Sequence, residues 1–248
     1  MIDIRHHIPS GYTGRFIIPN LDEMEGIAVH HSVSGWVWNP ETQKYTCHWN
    51  DAVDIDPRVE VAHLLAIDRW HSPPNNDFGG FGYHLAAFAS GRCYLCGSLD
   101  TVRAHVVDLN KQFNGLVLIG DFSDSVPTKS HLGAAREGVA FIRAFHGRTL
   151  PVEPHRLIRN QNTTCPGELY YKWVPGLNEA KEDDMKPLLY RREGRPEVYL
   201  LGKLIHIKDQ ADFITRGYKP EDVRVLPDDD PIWEYPVEYS RVPDELKR

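Results

Sequence analysis

Short unbroken apolar runs alternate along the chain with longer stretches of helical spacing. Residues 26–31, GIAVHH, form one such run and predict a buried strand that ends in two histidines. Residues 58–71 follow with Val59, Ala62, Leu65 beside Ala66, and Trp70 beside Ile67 at helical spacing, until Pro73-Pro74 stops the helix. The run GYHLAAFAS at 82–90 is almost continuously apolar, which predicts a central strand covered on both faces. Ser90-Gly91-Arg92 turns it into a further strand, CYLCGS at 93–98, and residues 116–119 make another. Leu132, Ala135, Val139, Ile142 and Phe145 then form one stripe of a helix spanning about 128–146, with Gly147 as its stop. A strand-like run at 149–152 leads to His155. Strands alternating with helices predict an α/β domain over residues 1–175.

Outside these elements the pattern weakens. Residues 1–25 carry Pro9, Gly11, Gly14 and Pro19 and predict an irregular lead-in with a short strand at 14–18; His6 and His7 fall there as residues of a flexible segment, not ligands. A loop rich in Gly, Trp, Asn and Pro follows the first strand to about residue 43, and its Trp36 and Trp38 either floor a groove or pack on the core. From Val174 the sequence VPGLNEAKEDDMKP turns Pro-, Gly- and charge-bearing, so residues 176–187 predict a linker. Beyond it, residues 198–201 and 204–207 flank Gly202-Lys203 as a β-hairpin, a short helix fits 210–216, and an acidic, Pro-rich tail begins at Pro227. Residues 188–248 are a small appendage with little core of their own.

Composition narrows the function classes. At 248 residues, 41% hydrophobic and 25% charged, the chain is long enough for one cored domain of about 150 to 180 residues plus that appendage. A formal net charge of -7 without Lys/Arg clusters argues against a nucleic-acid binder. No membrane segment and no signal-peptide core are visible, and four cysteines do not make a disulfide scaffold, so a reducing compartment is expected.

Chemistry concentrates at 152–173. His155 and Cys165 flank a polar loop that closes with Pro-Gly, and zinc takes imidazole nitrogen and thiolate sulfur. A catalytic zinc uses three protein ligands, and the His30-His31 pair is the obvious donor of the third. Because strand side chains alternate, only one of the two can face the site. Cys93 and Cys96 form a CxxC that, with Cys47 and His48, would need a bulge to chelate; ordinary buried cysteines are the expectation.

Several motifs in order give this pattern a family. AVHHS at 28–32, RWH at 69–71 with GYH at 82–84, RAH at 103–105, LVLIGDF at 116–122, and His155 with TCPG at 164–167 together resemble the zinc-dependent N-acetylmuramoyl-L-alanine amidases, which include amidase-type phage lysozymes and peptidoglycan recognition proteins. The resemblance spans residues 25 to 173 and implies a mixed central β-sheet flanked by helices, with a zinc-floored groove. It implies His30, His155 and Cys165 as zinc ligands, His31 facing away, Tyr83 as the catalytic phenol beside the attacking water, and His105 as a groove residue touching substrate. Trp36, if its loop floors that groove, is a further substrate contact. Thr163 stands where some phage members carry lysine and several animal members threonine; it joins Tyr83 as a catalytic position, and a cationic helper is in doubt, since Arg156 and Arg159 in this polar loop read as solvated surface before they read as a replacement cation. The separation of ten positions between His155 and Cys165 is two longer than the common pattern.

The implied activity is zinc-assisted hydrolysis of the amide between N-acetylmuramic acid and L-alanine in peptidoglycan. The expected setting is endolysin-like, in a monomer held in the host cytoplasm until release to the wall, with neither nucleic acid nor membrane as partner. Residues 196–207 loosely resemble short hairpin segments of wall-associated proteins, so residues 188–248 are expected as a cell-wall attachment module. Two rivals remain: a binding-only peptidoglycan module, against which Cys165 speaks, and a cysteine peptidase using Cys165, for which the only downstream histidine is His206.

Overall fold

The computed structural model describes residues 1–5, 7–9, 21–40, 43–179 and, further on, 189–192, 198–200 and 223–226. The chain divides into two compact units, Met1–Asp184 and Met185–Arg248. The first is built on a six-stranded sheet in the order β1-β6-β5-β7-β2-β8, where β1 is Ile2–Asp3, β2 Gly26–His31, β5 Leu85–Ala87, β6 Cys93–Leu95, β7 Phe113–Leu118 and β8 Val152–Pro154. The β5–β6 pair is antiparallel and the other neighbours are parallel, so the sheet is mixed, as expected.

β2 and β7 are buried at every position, which their apolar runs require and which helices on both faces provide. On one face lies α1, Pro57–His71, whose Leu64 packs with Ala86, Tyr94 and Val117. On the other lies α2, Lys129–His146, whose Gly138 approaches so closely that a Cβ there would meet Cys93 Sγ at 3.1 Å and Leu116 Cδ1 at 3.3 Å. Alternation along β2 then decides the histidines. His30 lies in register with Val117 and faces the α1 side, while His31, level with Leu118, faces the α2 side.

The helix boundaries follow their caps. The Asp56 carboxylate accepts from Arg58 N with Pro57 opening α1, and Thr128 Oγ1 accepts from His131 N at the start of α2. Gly147 ends α2 in the left-handed region at φ 63°.

Elsewhere the structure departs from the predicted pattern. The stretch after β2, expected as loop, forms an antiparallel hairpin of β3, Trp36–Asn39, and β4, Lys44–Cys47. Its strands are short but rich in aromatic and β-branched residues, and Trp38 meets Tyr45 across the pair with ring centroids 5.1 Å apart. The apolar run 82–90 yields only β5, because Phe88 N donates to Arg92 O and Gly91 N to Phe88 O in a turn. The strand predicted at 149–152 lies further on, at β8. Residues at the start of the predicted linker form the short helix α3, Pro175–Asn178, with Leu177 buried. The Asn178 amide accepts from Val152 N at 2.8 Å and donates to Val152 O at 3.0 Å, which pins β8 at the sheet edge.

The described part of the second unit is a three-stranded sheet in the order β10-β9-β11, with β9 Leu189–Arg192, β10 Val198–Leu200 and β11 Val223–Leu226. β10 corresponds to the first predicted hairpin arm and pairs antiparallel with β9, while β11 runs parallel to β9. The predicted strand at 14–18, the arm at 204–207, the helix at 210–216, His206 and the tail lie outside the described residues, as does His6. No helix among the described residues is long and apolar enough to cross a membrane.

Candidate metal centre

Parallel pairing of β2 with β8 sets Val29 opposite Pro154, so the next residues, His30 and His155, leave the sheet side by side. Their ring centroids are 4.5 Å apart. The loop after His155 brings Cys165 back, tied by the Arg156 N–H donating to Cys165 O at 2.9 Å. One ligand atom from each of His30, His155 and Cys165 then lies within 4.8 Å of the others, and no other group of three metal-ligating side chains occurs among the described residues.

Hydrogen bonds decide which nitrogens are available. His105 Nε2 lies 3.1 Å from Phe113 O, a pure acceptor, so that nitrogen carries the proton and Nδ1 keeps a lone pair. His30 Nε2 lies 3.1 Å from this Nδ1 and therefore donates, which leaves His30 Nδ1 free, 3.7 Å from Cys165 Sγ. Burial, helped by the neighbouring His105 and His155, pushes the His30 imidazolium well below its usual range, and burial also lowers His155. Both rings are thus neutral, as a metal ligand must be.

Cys165 is held from two sides. The backbone N–H of His31 points at Sγ at 3.5 Å, and Thr163 Oγ1 accepts from Cys165 N at 3.1 Å. Burial pushes the metal-free thiol up to about 12, opposed by the His31 amide. A buried thiolate with so little compensation needs a cation, which speaks against a free nucleophile and for a metal ligand. Two neutral imidazoles and one sulfur form the donor set that zinc takes, and His155 and Cys165 are only half-buried, so the cluster is reachable from solvent. Beyond the cysteine, Gly167 has φ 106°, and a Cβ there would lie 1.9 Å from Phe122 O; no other residue fits that turn.

The remaining predicted positions separate. Tyr83 joins the cluster, its ring centroid 5.1 Å from that of His30, and burial together with Cys165 raises its phenol above the ordinary range. His105 also joins, but both its ring nitrogens are committed, to His30 and to Phe113 O, so the ring serves His30 and has no nitrogen left for substrate. Burial pushes its imidazolium down to about 3. Trp36 sits on the β3–β4 hairpin, about half exposed, and not in the cluster. His31 turns away, where its Nδ1 accepts from Phe122 N. Arg156 engages Glu168 and the Tyr170 ring, and Arg159 pairs with Glu25, in keeping with surface arginines. Cys93 and Cys96 are buried free thiols and belong to no ligating group among the described residues.

Two supporting side chains escape the sequence patterns. Gln161 lies against His155, its Oε1 3.2 Å from His155 Nε2. Asn110 Oδ1 accepts from His105 N and Val106 N at 2.8 and 2.7 Å, which fixes the segment bearing His105. A signal for the second layer does exist in Gly115, inside an otherwise apolar strand: a Cβ there would meet the His105 ring at 3.0 Å.

No protein-family model matches the chain. Peptidoglycan-recognition protein LB of Drosophila melanogaster is 34% identical, over 63% of this chain and 72% of that protein. Among solved structures, the Apis mellifera recognition protein SA matches with TM-score 0.53 at 16% identity, covering 73% of this chain and 96% of its own. The bumblebee SA protein matches with TM-score 0.51 at 18% identity, covering 72% and 93%.

Proposed function

Since the chain belongs to the family of N-acetylmuramoyl-L-alanine amidases and peptidoglycan recognition proteins, we propose that it binds peptidoglycan and hydrolyses the amide between N-acetylmuramic acid and L-alanine with a zinc ion held by His30, His155 and Cys165. The observation that carries this reading is the convergence of two neutral imidazoles and one sulfur within 4.8 Å beside a half-buried phenol. A binding-only member would have no use for that complete donor set. When bound there, zinc supplies the Lewis acidity that brings water's pKa to about 7 and polarises a scissile carbonyl.

The protein's own residues account for the rest. Tyr83 stays protonated across the physiological range because burial disfavours its phenolate, so it is a standing donor toward negative charge developing on the amide oxygen. Thr163, whose oxygen already accepts from Cys165 N, keeps its hydroxyl proton free for a second donation. His105 holds the His30 ring, and the His31 amide holds the sulfur. Trp36 offers an exposed aromatic face to the glycan part of the substrate. Residues 188–248 are assigned to wall attachment; deleting them should weaken pull-down by insoluble wall while hydrolysis of soluble muramyl peptides persists. The animal relatives lend no support to a phage setting.

The test is release of L-alanine amino termini from purified peptidoglycan, followed by mass spectrometry of the lactyl-muramic product. Activity should vanish with chelator and return with zinc. Activity that survives complete metal removal defeats the zinc reading, and wall binding without any release identifies a recognition module.

A further inference from the structure

His155 is held by a side chain outside the donor set. We propose that Gln161 is a positioning residue of the metal centre, fixing the tautomer and ring direction of His155 and anchoring that imidazole to the backbone segment that also carries His105. The inference rests on the zinc-hydrolase reading above and deepens it.

The amide orientation of Gln161 is forced by its partners. Its Oε1 faces the Val107 N–H at 3.2 Å, while its Nε2 donates to Val107 O at 3.0 Å and to Arg159 O at 3.3 Å. Reversing the amide would set donor against donor at Val107 N and acceptor against acceptor at Val107 O. The oxygen must therefore face His155 as well, and at 3.2 Å from His155 Nε2 it accepts that nitrogen's proton. The lone pair of His155 is left on Nδ1.

The loop is shaped to deliver this contact. Gln161 N donates to Ile158 O at 3.3 Å, closing a turn whose third residue, Asn160, has φ 63°, a conformation asparagine tolerates better than most residues. The ten positions between His155 and Cys165 leave room for that turn. At its far end Gln161 grips Val107, two residues from His105, in the segment fixed by Asn110. Both imidazoles thus hang from one short stretch of backbone, His30 through the His105 ring and His155 through the Gln161 amide.

Replacing Gln161 in the full chain separates an orienting role from loop anchoring. Gln161→Ala should raise the zinc dissociation constant about 10- to 100-fold in competition with a chromophoric chelator. In the metal-free protein, nitrogen NMR should show the His155 ring losing its uniform Nε2–H tautomer. Gln161→Glu keeps an acceptor oxygen for His155 but sets its second oxygen against Val107 O, so the loop is loosened while the acceptor stays; its tautomer should be unchanged and its zinc affinity should fall clearly less than in Gln161→Ala. Gln161→Met, similar in length and without an acceptor, replaces the alanine variant if that one does not fold. If Glu fails as badly as Ala, or if the tautomer is unmoved in Ala, Gln161 merely ties down the loop and the inference is overturned. A parent protein that binds no zinc overturns the hydrolase reading instead, and the tautomer still reports on Gln161.

Discussion

Replacing His105 with alanine tests whether this histidine works on the substrate or on the metal centre. In the structure its Nδ1 accepts from His30 Nε2 at 3.1 Å and its Nε2 donates to Phe113 O at 3.1 Å, deep in the protein. Truncation strands the His30 N–H, a buried donor whose loss of partner costs about 1–3 kcal/mol. It also removes what keeps the His30 lone pair on Nδ1, and loss of such an outer partner weakens metal binding by about 10- to 100-fold, or about 1.4–2.7 kcal/mol. His105→Ala should therefore show weaker zinc binding by isothermal titration and a urea midpoint shifted down. With zinc saturating, KM for a soluble muramyl peptide should stay within about twofold, since no nitrogen of His105 is free to contact it. The opposite result, unchanged zinc affinity with a raised KM, would return His105 to the groove wall and refute the hydrogen-bond reasoning.

Other substitutions probe the same framework. Gly115→Ala places a Cβ 3.0 Å from the His105 ring and should weaken zinc binding in the same direction as His105→Ala but less, as read by chelator competition. Tyr83→Phe should lower turnover about 100- to 1000-fold while leaving the zinc dissociation constant unchanged; equal activity would remove the phenol from the chemistry. Gly167→Ala must relieve a 1.9 Å clash with Phe122 O at a φ of 106°, so thermal unfolding should report a loss of at least about 2 kcal/mol together with weakened metal binding. His131, fully buried and pushed down by burial to about 4 from 6.5, binds its proton more weakly folded than unfolded, so its contribution is complete above about pH 6.5 and fades as pH falls toward 4. On that ground about 2 kcal/mol of stability should go between pH 7 and 5, measured by urea unfolding, and His131→Leu should lose that share of the dependence.

What could be read from residue order depended on how local the cause was. The strand Gly26–His31 and both long helices declare themselves because burial on a face repeats with the period of the element, and the caps Thr128 and Gly147 act within a turn of their own helix. The hairpin Trp36–Asn39 with Lys44–Cys47 was hidden: four residues per strand is too short for alternation to show, and its cross-strand contact of Trp38 with Tyr45 appears only once the strands are paired. The three donors were legible through the order of several motifs, since nothing in 125 positions of separation between His30 and His155 says that β8 pairs with β2. That register, Val29 against Pro154, is what turns two distant histidines into neighbours.

The roles of the second layer were harder to read for a further reason, and the reason bears on function. Gln161 and His105 act through single acceptor atoms whose orientation is decided by backbone groups, Val107, far away in sequence, for one and Phe113 for the other. A polar loop residue and a histidine in a bend have no period and no composition that marks such a task. Both partners nevertheless lie within one stretch of backbone, 105–113, which runs directly into β7, the strand that pairs with β2 and so carries the register of His30. The sheet therefore sets the positions of the two imidazoles, and the loop entering its central strand sets their proton arrangement. Any substitution that slides residues 105–107 against β7 should disturb both histidines at once, and losing Asn110, whose one oxygen holds His105 N and Val106 N, is the most economical way to do so.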